Sequence, residues 1–581
     1  MRNDALNRAY SAPSDPLVPI GHGLRRAWAR GYGLPELRAD ALAGSVVGIV
    51  AIPLSMALGI AVGAPPQNGL YTAVVAGIVV ALCGGSKFQV TGPTAAFVVI
   101  LAPIMSRFGL SGLLTAGFMA GAMLVVLGMA RLGRLMQFIP QPVTTGFTTG
   151  IAVVIATLQI KDVLGLSVAA MPEHYLDKVG ALWQARGSAQ VPELCVALAT
   201  LGLLVGLPRL VRSIPAPLLA IALVSALVAA LRELAPGLSV ATIGSRFQTQ
   251  IDGVVIHGIP SVLPSAELPW RGLSLARVRE LLPPAVAIAV LGAIESLLSA
   301  TVADGMTGTR HDPNAELVGL GIGNMLGALF GGIAATGALA RTATNVRAGA
   351  RSPLAAVFHA LVVLVCIVFL APYVAHVPMA ALASLLLMVA WNMSELHGFL
   401  RLLRTTPKSD VFVLVTCFAL TVFFDMVVAV SVGVLLAALL FMRRMAELTE
   451  TRAFFGDGAE SEPSPLPPGV MSFAVRGPLF FGAAQGAVAA LHAARRDDYR
   501  VMILDLRDVP VIDATGVVAL DNAIGELIRQ RHRVVLAGLS ARPGRVIANA
   551  ALEARHPGLF VEARMESAIE LAARLAQAPP R

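Results

Sequence analysis

The fold depends on the stretch FQVTGPTAAFVVILAPI, residues Phe88 to Ile104. The stretch is apolar enough to enter a membrane, yet the pair Gly92-Pro93 interrupts it. A helix break at membrane depth is tolerated only where the backbone is buried in protein or lines an aqueous cavity. The interruption therefore predicts a binding site inside a membrane domain rather than a plain membrane anchor.

The composition is that of a membrane protein. Of the 581 residues, 56% are hydrophobic and only 14% are charged. The net charge of +9 would suit nucleic acid, but the Lys and Arg excess lies in short loops between apolar runs, as membrane orientation requires. The chain has no GxxxxGK[ST] motif, and its four cysteines lack metal-ligand spacing. The sequence thus predicts no enzyme, no cofactor, no metal site and no nucleic-acid partner.

The apolar runs predict fourteen membrane spans in two groups of seven. The first group lies near residues 41–62, 69–83, 92–105, 110–130, 143–164, 190–207 and 215–231. The second group lies near residues 283–303, 316–332, 337–349, 354–372, 378–393, 410–425 and 427–442. The polar segment 232–280 separates them. Lys and Arg are concentrated in the loops that this count assigns to the cytoplasm, which predicts that both termini are cytoplasmic.

Two of the spans are too short to cross a bilayer. At 1.5 Å per residue, residues 92–105 and 337–349 make helices of about 20 Å, against a hydrocarbon core of about 30 Å. Each is the third span of its group, and short interrupted spans at matching places are typical of an inverted-repeat transporter. The predicted fold class is an all-α polytopic membrane protein, a seven-plus-seven inverted repeat with two half-helices.

The two half-helices predict an anion site. We expect an extended piece at 88–90 and Pro93 in the first helical turn, where its missing N–H costs nothing. Thr336 is the predicted N-cap of the second half-helix, and Gly337 allows close approach of the backbone. Two helix N-termini that face each other carry partial positive charge and favour an anion. The predicted backbone donors of the first half-helix are Thr94, Ala95 and Ala96.

Ionisable residues inside the spans add to this site. Arg341 lies about one turn into the second half-helix, where it is either a partner of the substrate charge or a structural counter-ion. Glu295 lies in the middle of a span, with Ser299 one turn further on the same face. Because desolvation favours the neutral form of a carboxylate, Glu295 suits proton or cation coupling. The alternative is a permanent ion pair between Glu295 and Arg341.

The composition changes after Arg444. The predicted domains are a cytoplasmic tail (1–40), a transmembrane domain (41–445, with repeats of about 41–232 and 281–445), a linker (446–469) and a small cytoplasmic α/β domain (470–577). In the last domain, short apolar runs alternate with helical patterns. The predicted strands begin near Val470, Val501 and Val534, and a final strand and helix end the domain.

Two stretches resemble a known family. APPQNGLYTAVVAGIVVALCGGSKFQVTGPTAA, residues Ala64 to Ala96, is similar to the signature region of the SulP anion transporters, the sulfate permease group. VPVIDATGVVALDNAI, residues Val509 to Ile524, resembles the STAS domain that these transporters carry. The order of the parts matches as well, so the resemblance covers about residues 35–576. It implies a core domain and a gate domain, a small-anion substrate bound between the third and tenth spans, and a homodimer in the lipid bilayer of the cytoplasmic (inner) membrane.

The resemblance also implies roles for single residues. Thr94, Ala95 and Ala96 match backbone donors, and Phe97 matches a pocket aromatic. Ala340 and Arg341 match the start of the other half-helix, although many relatives have serine at position 340, so one side-chain donor is missing here. Glu295 and Ser299 match a carboxylate and hydroxyl pair that couples cations. Glutamate rather than aspartate at this position indicates protons rather than sodium.

Within the family, the chain is most similar to transporters of C4-dicarboxylates. The stretches that carry this likeness are PEHYLDKVGAL (172–182), LGAIESLLSATVADGMTGTR (291–310), LLLMVAWNMSE (385–395) and FDMVVAVSVGVLLAALLFMRR (424–444). The implied activity is proton-coupled symport of succinate or fumarate. Sulfate or bicarbonate transport is the alternative within the family. A membrane-tethered sensor that signals through its STAS domain is the alternative outside it.

The STAS-like segment contains Asp513-Ala514-Thr515-Gly516. In STAS proteins that act as anti-sigma antagonists, the residue at the position of Thr515 is a serine that is phosphorylated. Thr515 is therefore a possible phosphosite, and phosphorylation there could regulate binding of a cytoplasmic protein partner. The alternative is that these residues simply cap a helix.

Overall fold

The protein is represented by a computed structural model. It describes residues 20–29, 31–134, 140–168, 171–172, 174–211, 215–234, 239–251, 254–271, 274–424, 426–447, 450–455, 466–493 and 499–578. Residues 1–19 of the predicted cytoplasmic tail and residues 456–465 of the predicted linker lie outside this part of the chain. The chain divides into two compact units, Met1–Val434 and Leu435–Arg581.

The first unit is almost entirely helical. Its elements are α1 (His22–Trp28), α2 (Leu34–Val62), α3 (Pro66–Cys83), β1 (Thr91–Gly92), α4 (Ala95–Met129), α5 (Gln141–Val163), α6 (Tyr175–Gln184), α7 (Val191–Leu210), α8 (Ala216–Leu234), α9 (Ile243–Arg246), β2 (Gln248–Ile251), β3 (Val254–His257), α10 (Leu275–Glu280), α11 (Leu282–Thr307), α12 (Pro313–Leu329), β4 (Thr336–Gly337), α13 (Leu339–Arg347), α14 (Leu354–Phe369), α15 (Ala371–Val374), α16 (Met379–Met393), α17 (Leu396–Thr405), α18 (Lys408–Phe423) and α19 (Met426–Glu447), the last of which crosses the unit boundary in sequence.

Each of the fourteen predicted spans coincides with helix. Two of them share α4, which is broken at Gly109 (φ 68°, ψ −173°), a conformation that glycine adopts without strain. Within the described part of the chain, nine helices are long and apolar enough to cross a membrane. The helices of the two short spans remain short, because α4 breaks at Gly109 and α13 is only 9 residues long. The predicted helical membrane fold with two half-helices is confirmed.

Small residues let the helices approach closely. A Cβ atom placed on Gly121 of α4 would lie 2.6 Å from the carbonyl oxygen of Gly321 in α12, and one placed on Gly321 would lie 2.5 Å from that of Gly121. The two backbones are therefore in direct contact. Such contacts are the main source of helix association in lipid, where no hydrophobic effect drives it.

The half-helices meet at a very short sheet. β1 and β4 pair antiparallel, with Thr91 opposite Gly337 and Gly92 opposite Thr336. Both strands read Thr-Gly, and each leads into the half-helix of its own repeat. Equivalent segments of the two repeats thus pair with each other in opposite directions, as an inverted repeat requires. The pairing brings the N-termini of α4 and α13 together.

The helix starts differ from the predicted ones. Thr94 is the N-cap of α4, so Pro93 precedes the helix instead of lying in its first turn. Ala338 is the N-cap of α13, so Thr336 as N-cap was wrong, and the extended piece is 91–92 rather than 88–90. The reason is that both Thr-Gly pairs form the β1–β4 ladder, which holds their backbone groups.

The second unit contains a five-stranded sheet. Its elements are β5 (Glu450–Phe455), β6 (Val470–Arg476), α20 (Phe481–Ala493), β7 (Val501–Asp505), α21 (Ala514–Arg529), β8 (Arg533–Ala537), α22 (Ala541–Asn549), α23 (Leu552–Arg555), β9 (Leu559–Glu562) and α24 (Met565–Gln577). The strand order is β5-β6-β7-β8-β9, with β5 antiparallel and the others parallel.

The start of this unit differs from the predicted linker 446–469. Helix α19 continues to Glu447, and β5 pairs with β6 along six residues. The stretch ETRAFF has apolar residues, and Ala453 packs against the core of the α/β unit. The remaining strands and helices lie where the sequence predicts them, because alternate strand residues face the two buried sides of the sheet.

Candidate functional site

The N-termini of α4 and α13 form the centre of the candidate site. Neither helix has a side-chain N-cap, and the first N–H groups of any α-helix lack partners within it. Ala95 and Ala96 are buried, whereas Thr94 is partly exposed and Ala340 is exposed. The two ends therefore present partial positive charge at an opening in the protein.

Arg341 adds a full positive charge. Its side chain is buried, and Nη2 donates a hydrogen bond to the carbonyl oxygen of Pro93. The guanidinium lies over Gly92, since a Cβ atom there would be 2.6 Å from Nη1. Nε and Nη1 have no hydrogen-bond partner, and no carboxylate forms an ion pair with Arg341, among the residues that the structure describes. The second repeat thus places an uncompensated charge at the start of the first half-helix.

Glu295 contacts the same helix start from α11. Its Oε2 accepts a hydrogen bond of 3.0 Å from Oγ1 of Thr94, the N-cap of α4. The carboxylate is partly buried. The sequence alone leaves open a permanent ion pair between Glu295 and Arg341 as the alternative to a coupling role. That ion pair is absent from the described contacts. Thr94 therefore connects a titratable group directly to the predicted anion donors.

Ser299 does not pair with Glu295. Its hydroxyl is fully buried and donates to Oγ1 of Thr342 at 3.0 Å. The same Thr342 oxygen accepts from the backbone N–H of Val90 at 3.1 Å. Ser299 thus fastens α11 to α13 and to the segment before β1, and its predicted role in coupling stays a prediction.

Phe97 lies in the helix packing. The side chain is 1% exposed, and its Cζ would be 3.4 Å from a Cβ atom at Gly292 in α11. The ring therefore separates α4 from α11 below the helix N-terminus. The predicted contact of this aromatic with the anion stays a prediction.

Amide side chains that the sequence reasoning missed hold the two extended segments. Gln89 Nε2 donates to Oγ of Ser296 at 2.5 Å, and Asn345 Nδ2 donates to the carbonyl oxygen of Phe88 at 2.9 Å. Asn324 bonds both the N–H (2.8 Å) and the carbonyl oxygen (2.9 Å) of Ala335. No common local pattern marks these residues: Gln89 lies two residues before Thr91, Asn324 lies twelve residues before Thr336, and Asn345 lies in a polar helix.

Two buried titratable residues were also missed. Glu316 Oε2 accepts from the backbone N–H groups of Gly85 (2.8 Å) and Ser86 (2.9 Å), which ties α12 to the end of α3. His359 in α14 is 0% exposed and lies among the helices of the membrane domain. Both interrupt apolar spans, which is the only sign that the sequence carries of them.

In the second unit, Asp513 is the N-cap of α21 and accepts from the N–H of Gly516 at 2.7 Å. The capping interpretation is therefore confirmed. Thr515 is exposed in the first turn of the same helix. Its phosphorylation stays a prediction.

Comparisons with known proteins show which family the chain belongs to. The chain matches the sulfate permease family over residues 37–417 and the STAS domain over residues 464–561. YvdB of Bacillus subtilis, provisionally named a sulfate transporter, is 42% identical over 519 residues, which are 88% of this chain and 94% of YvdB. The bicarbonate transporter BicA of Synechocystis sp. is 30% identical over 88% of this chain and 90% of its own.

Solved structures share the fold. The murine solute carrier 26 family member A9 anion transporter, in an inward-facing state, superposes with a TM-score of 0.81 over 94% of this chain and 93% of its own, at 18% identity. The transmembrane domain of a cyanobacterial bicarbonate transporter BicA has a TM-score of 0.59 at 28% identity, over 70% of this chain and 98% of its own. The helical membrane domain followed by a small α/β domain is therefore shown at the level of fold.

Proposed function

Because the chain belongs to the sulfate permease family, we propose that this multi-pass membrane transporter couples the uptake of a small anion to protons. The family assignment rests on residues 37–417 and on relatives that are named as transporters. What the family does not specify is the anion and the coupling ion. The geometry of the candidate site supports an answer to both.

One observation carries the proposal for the anion. The β1–β4 pairing joins two uncapped helix N-termini and places the Arg341 guanidinium beside them. A buried cation with unpaired donors is costly unless something compensates it. An anion bound at the N-termini of α4 and α13 would supply that compensation, and its release would restore the uncompensated state. The site is thus suited to an anion that binds and leaves.

The contact between Glu295 and Thr94 supports proton coupling. An ionised carboxylate 3.0 Å from the N-cap of α4 repels an anion at that helix end, whereas a protonated one does not. Protonation of Glu295 therefore favours binding of the anion, and binding of the anion favours protonation of Glu295. Among the described residues, no group of three or more His, Cys, Asp and Glu side chains is placed to hold a metal ion.

Two substrate classes fit the site. The resemblance to dicarboxylate transporters favours C4-dicarboxylates such as succinate or fumarate, and this is the substrate class that we propose. The names of the relatives favour sulfate or bicarbonate, which is the second candidate. Both classes present oxygen anions to backbone N–H groups and an arginine, so the shared chemistry of the site serves either.

The proposal extends to the setting of the transporter. We place it in the cytoplasmic (inner) membrane with both termini in the cytoplasm, as the distribution of Lys and Arg between spans indicates. We further propose a homodimer, as the resemblance implies, and a cytoplasmic protein partner for the STAS domain, with the exposed Thr515 as its phosphorylation switch.

The test is uptake of a labelled anion into proteoliposomes. Labelled succinate and labelled sulfate are compared, each with a panel of unlabelled competitors, with and without an inward proton gradient. We expect concentrative succinate uptake that the gradient accelerates and that fumarate inhibits. Uptake of sulfate or bicarbonate without uptake of succinate would refute the dicarboxylate substrate and support the second candidate. Absence of uptake of every anion would refute transport and leave a sensor that acts through the STAS domain.

A further inference from the structure

A cavity of about 460 Å³ lies beside α4 and does not contain the residues of the candidate site. Its lining begins at Val98, one turn past the start of α4, and extends to Ser106. At 1.5 Å per residue, these positions lie about 5 and 16 Å along the helix from Ala95. The cavity therefore runs along the half-helix, away from the N-termini.

The two walls of this cavity differ in charge. The wall formed by the end of α2 and by α4 carries no charged side chain among its lining residues. The other wall, formed by the remaining elements, holds all the charges of the lining: Lys161 and Asp162 from α5, Lys178 from α6 and Arg246 from α9. Three cations and one carboxylate leave this wall with a net positive charge.

The carboxylate does not neutralise the wall. Asp162 Oδ1 lies 3.6 Å from an Arg246 nitrogen, an ion pair that is long and whose arginine side chain is 41% exposed. Lys161 Nζ donates to the carbonyl oxygen of Val168 at 3.1 Å, a contact that fixes the ammonium without cancelling its charge. A cavity lined by an excess of one sign of charge and by low-dielectric apolar side chains focuses the field into its interior.

Arg246 is held in place by backbone contacts. The N–H groups of Ile243 and Gly244 donate to the carbonyl oxygens of Val377 (3.0 Å) and Ala375 (2.8 Å), and the N–H of Met379 donates to Ala241 (2.8 Å). These bonds fasten the segment around α9 to the start of α16. The backbone that carries Arg246 thus has a fixed position beside the cavity.

We propose that Lys161, Lys178 and Arg246 form a second, peripheral anion site in this cavity. The site takes small oxyanions and carboxylates from solution and concentrates them beside α4, about 5 to 16 Å along the helix from its N-terminus. It rests on the proposed function, because it serves an anion that is then transported. The negative charge of Asp162 repels the bound anion, which weakens binding at this site and limits how long an anion stays there.

The test uses charge substitutions of both signs. Lys161→Gln, Lys178→Gln and Arg246→Gln each remove one positive charge, and Asp162→Asn removes the negative one. Arg186→Gln is the matched control, because Arg186 lies just after α6, is exposed and does not line the cavity. Initial rates of labelled sulfate and succinate uptake are measured against concentration in right-side-out and inside-out vesicles, at low ionic strength and in about 0.5 M inert salt, where the Debye length is about 4 Å.

In the vesicle orientation whose cavity faces the labelled anion, we expect each cation variant to raise KM about two- to tenfold at low ionic strength, with an unchanged maximal rate. We expect Asp162→Asn to lower KM. In high salt, we expect the KM values of all variants to approach that of the wild type. The control should behave as the wild type does. An unchanged KM in both orientations, or a lower maximal rate at the wild-type KM, would overturn the peripheral site while transport itself stands. A wild-type protein that takes up no anion would refute both proposals.

Discussion

Replacing Glu295 by glutamine tests the coupling between anion and proton at its most direct point. The substitution keeps the size of the side chain and an oxygen that can accept from Thr94, but it removes the ionisable group. In the structure that oxygen lies 3.0 Å from Thr94 Oγ1, at the N-cap of α4. The variant therefore mimics the protonated state of Glu295 at every pH.

The expected magnitude follows from the geometry. An anion held by the N–H groups of Ala95 and Ala96, at about 2.9 Å from their nitrogens, would lie about 6 to 7 Å from the Glu295 carboxylate. With an effective dielectric constant of about 20, the repulsion is about 2.5 kcal/mol per unit charge of substrate. That energy corresponds to about 70-fold in affinity. Protonation of Glu295 relieves the repulsion, so the anion binds more tightly at low pH.

The assay is the equilibrium dissociation constant of sulfate for the purified protein between pH 8 and pH 5.5. Sulfate stays a dianion throughout this range, so the titration of the ligand does not contribute. We expect wild-type affinity to increase as the pH falls. We expect Glu295→Gln to bind as tightly at pH 8 as at pH 5.5. Glu316→Gln is the matched control, because Glu316 is a buried carboxylate in α12 that contacts the N–H groups of Gly85 and Ser86.

The outcome that refutes this reasoning is a Glu295→Gln protein whose sulfate affinity changes with pH as in the wild type. In that case another group couples the proton. If the variant instead binds more weakly at both pH values, the sign of the electrostatic effect is wrong, and Glu295 contributes through its hydrogen bond with Thr94.

Three further predictions follow from the same site and from the second unit. Arg341→Ala should weaken sulfate binding by about 1.5–3 kcal/mol, measured on protein that elutes as the wild type does, while Arg347→Ala on the exposed end of α13 should have no effect. Gly92→Ala should also weaken sulfate binding, because its Cβ would be 2.6 Å from Nη1 of Arg341 and would displace the guanidinium. Gly305→Ala should leave sulfate binding unchanged, because its Cβ would meet no described atom within 4 Å. A protein truncated before residue 450 should still bind sulfate, and loss of binding would contradict the independence of the two units. A protein truncated before residue 456 should also bind sulfate but should aggregate more in detergent, because it keeps β5 without its partner strand β6 and so exposes an unpaired edge.

Local patterns in the sequence predict most of the helices and strands, and they fail where contacts are non-local. Apolar runs of sufficient length mark the spans, and Gly-Pro marks the break before α4. Thr336 is predicted as an N-cap because threonine is a favoured N-cap residue at the start of a helix. Its actual partner strand, Thr91–Gly92, lies in the other repeat, where no local rule can find it.

In the candidate site, too, local patterns identify the residues but do not predict their non-local contacts. That Arg341 and Glu295 are functional candidates follows from their place in apolar spans. That Arg341 bonds to Pro93, that Glu295 bonds to Thr94 and that Ser299 bonds to Thr342 depends on how three helices pack. The sign in the sequence that the two half-helices meet is that each short span is the third of its group of seven.

The contact between Arg341 and Pro93 joins residues 248 positions apart in the chain. At a synthesis rate of about 5–20 residues per second, the ribosome needs about 12 to 50 seconds to make the intervening segment. During that time the first repeat has an open strand, an uncapped helix start and no second half, in an environment where unpaired backbone is costly. Biogenesis must therefore keep this half in contact with water or with the insertion machinery until the second repeat arrives. The transporter cannot be matured one repeat at a time, and the two halves, expressed as separate chains, should be stable only when they are made together.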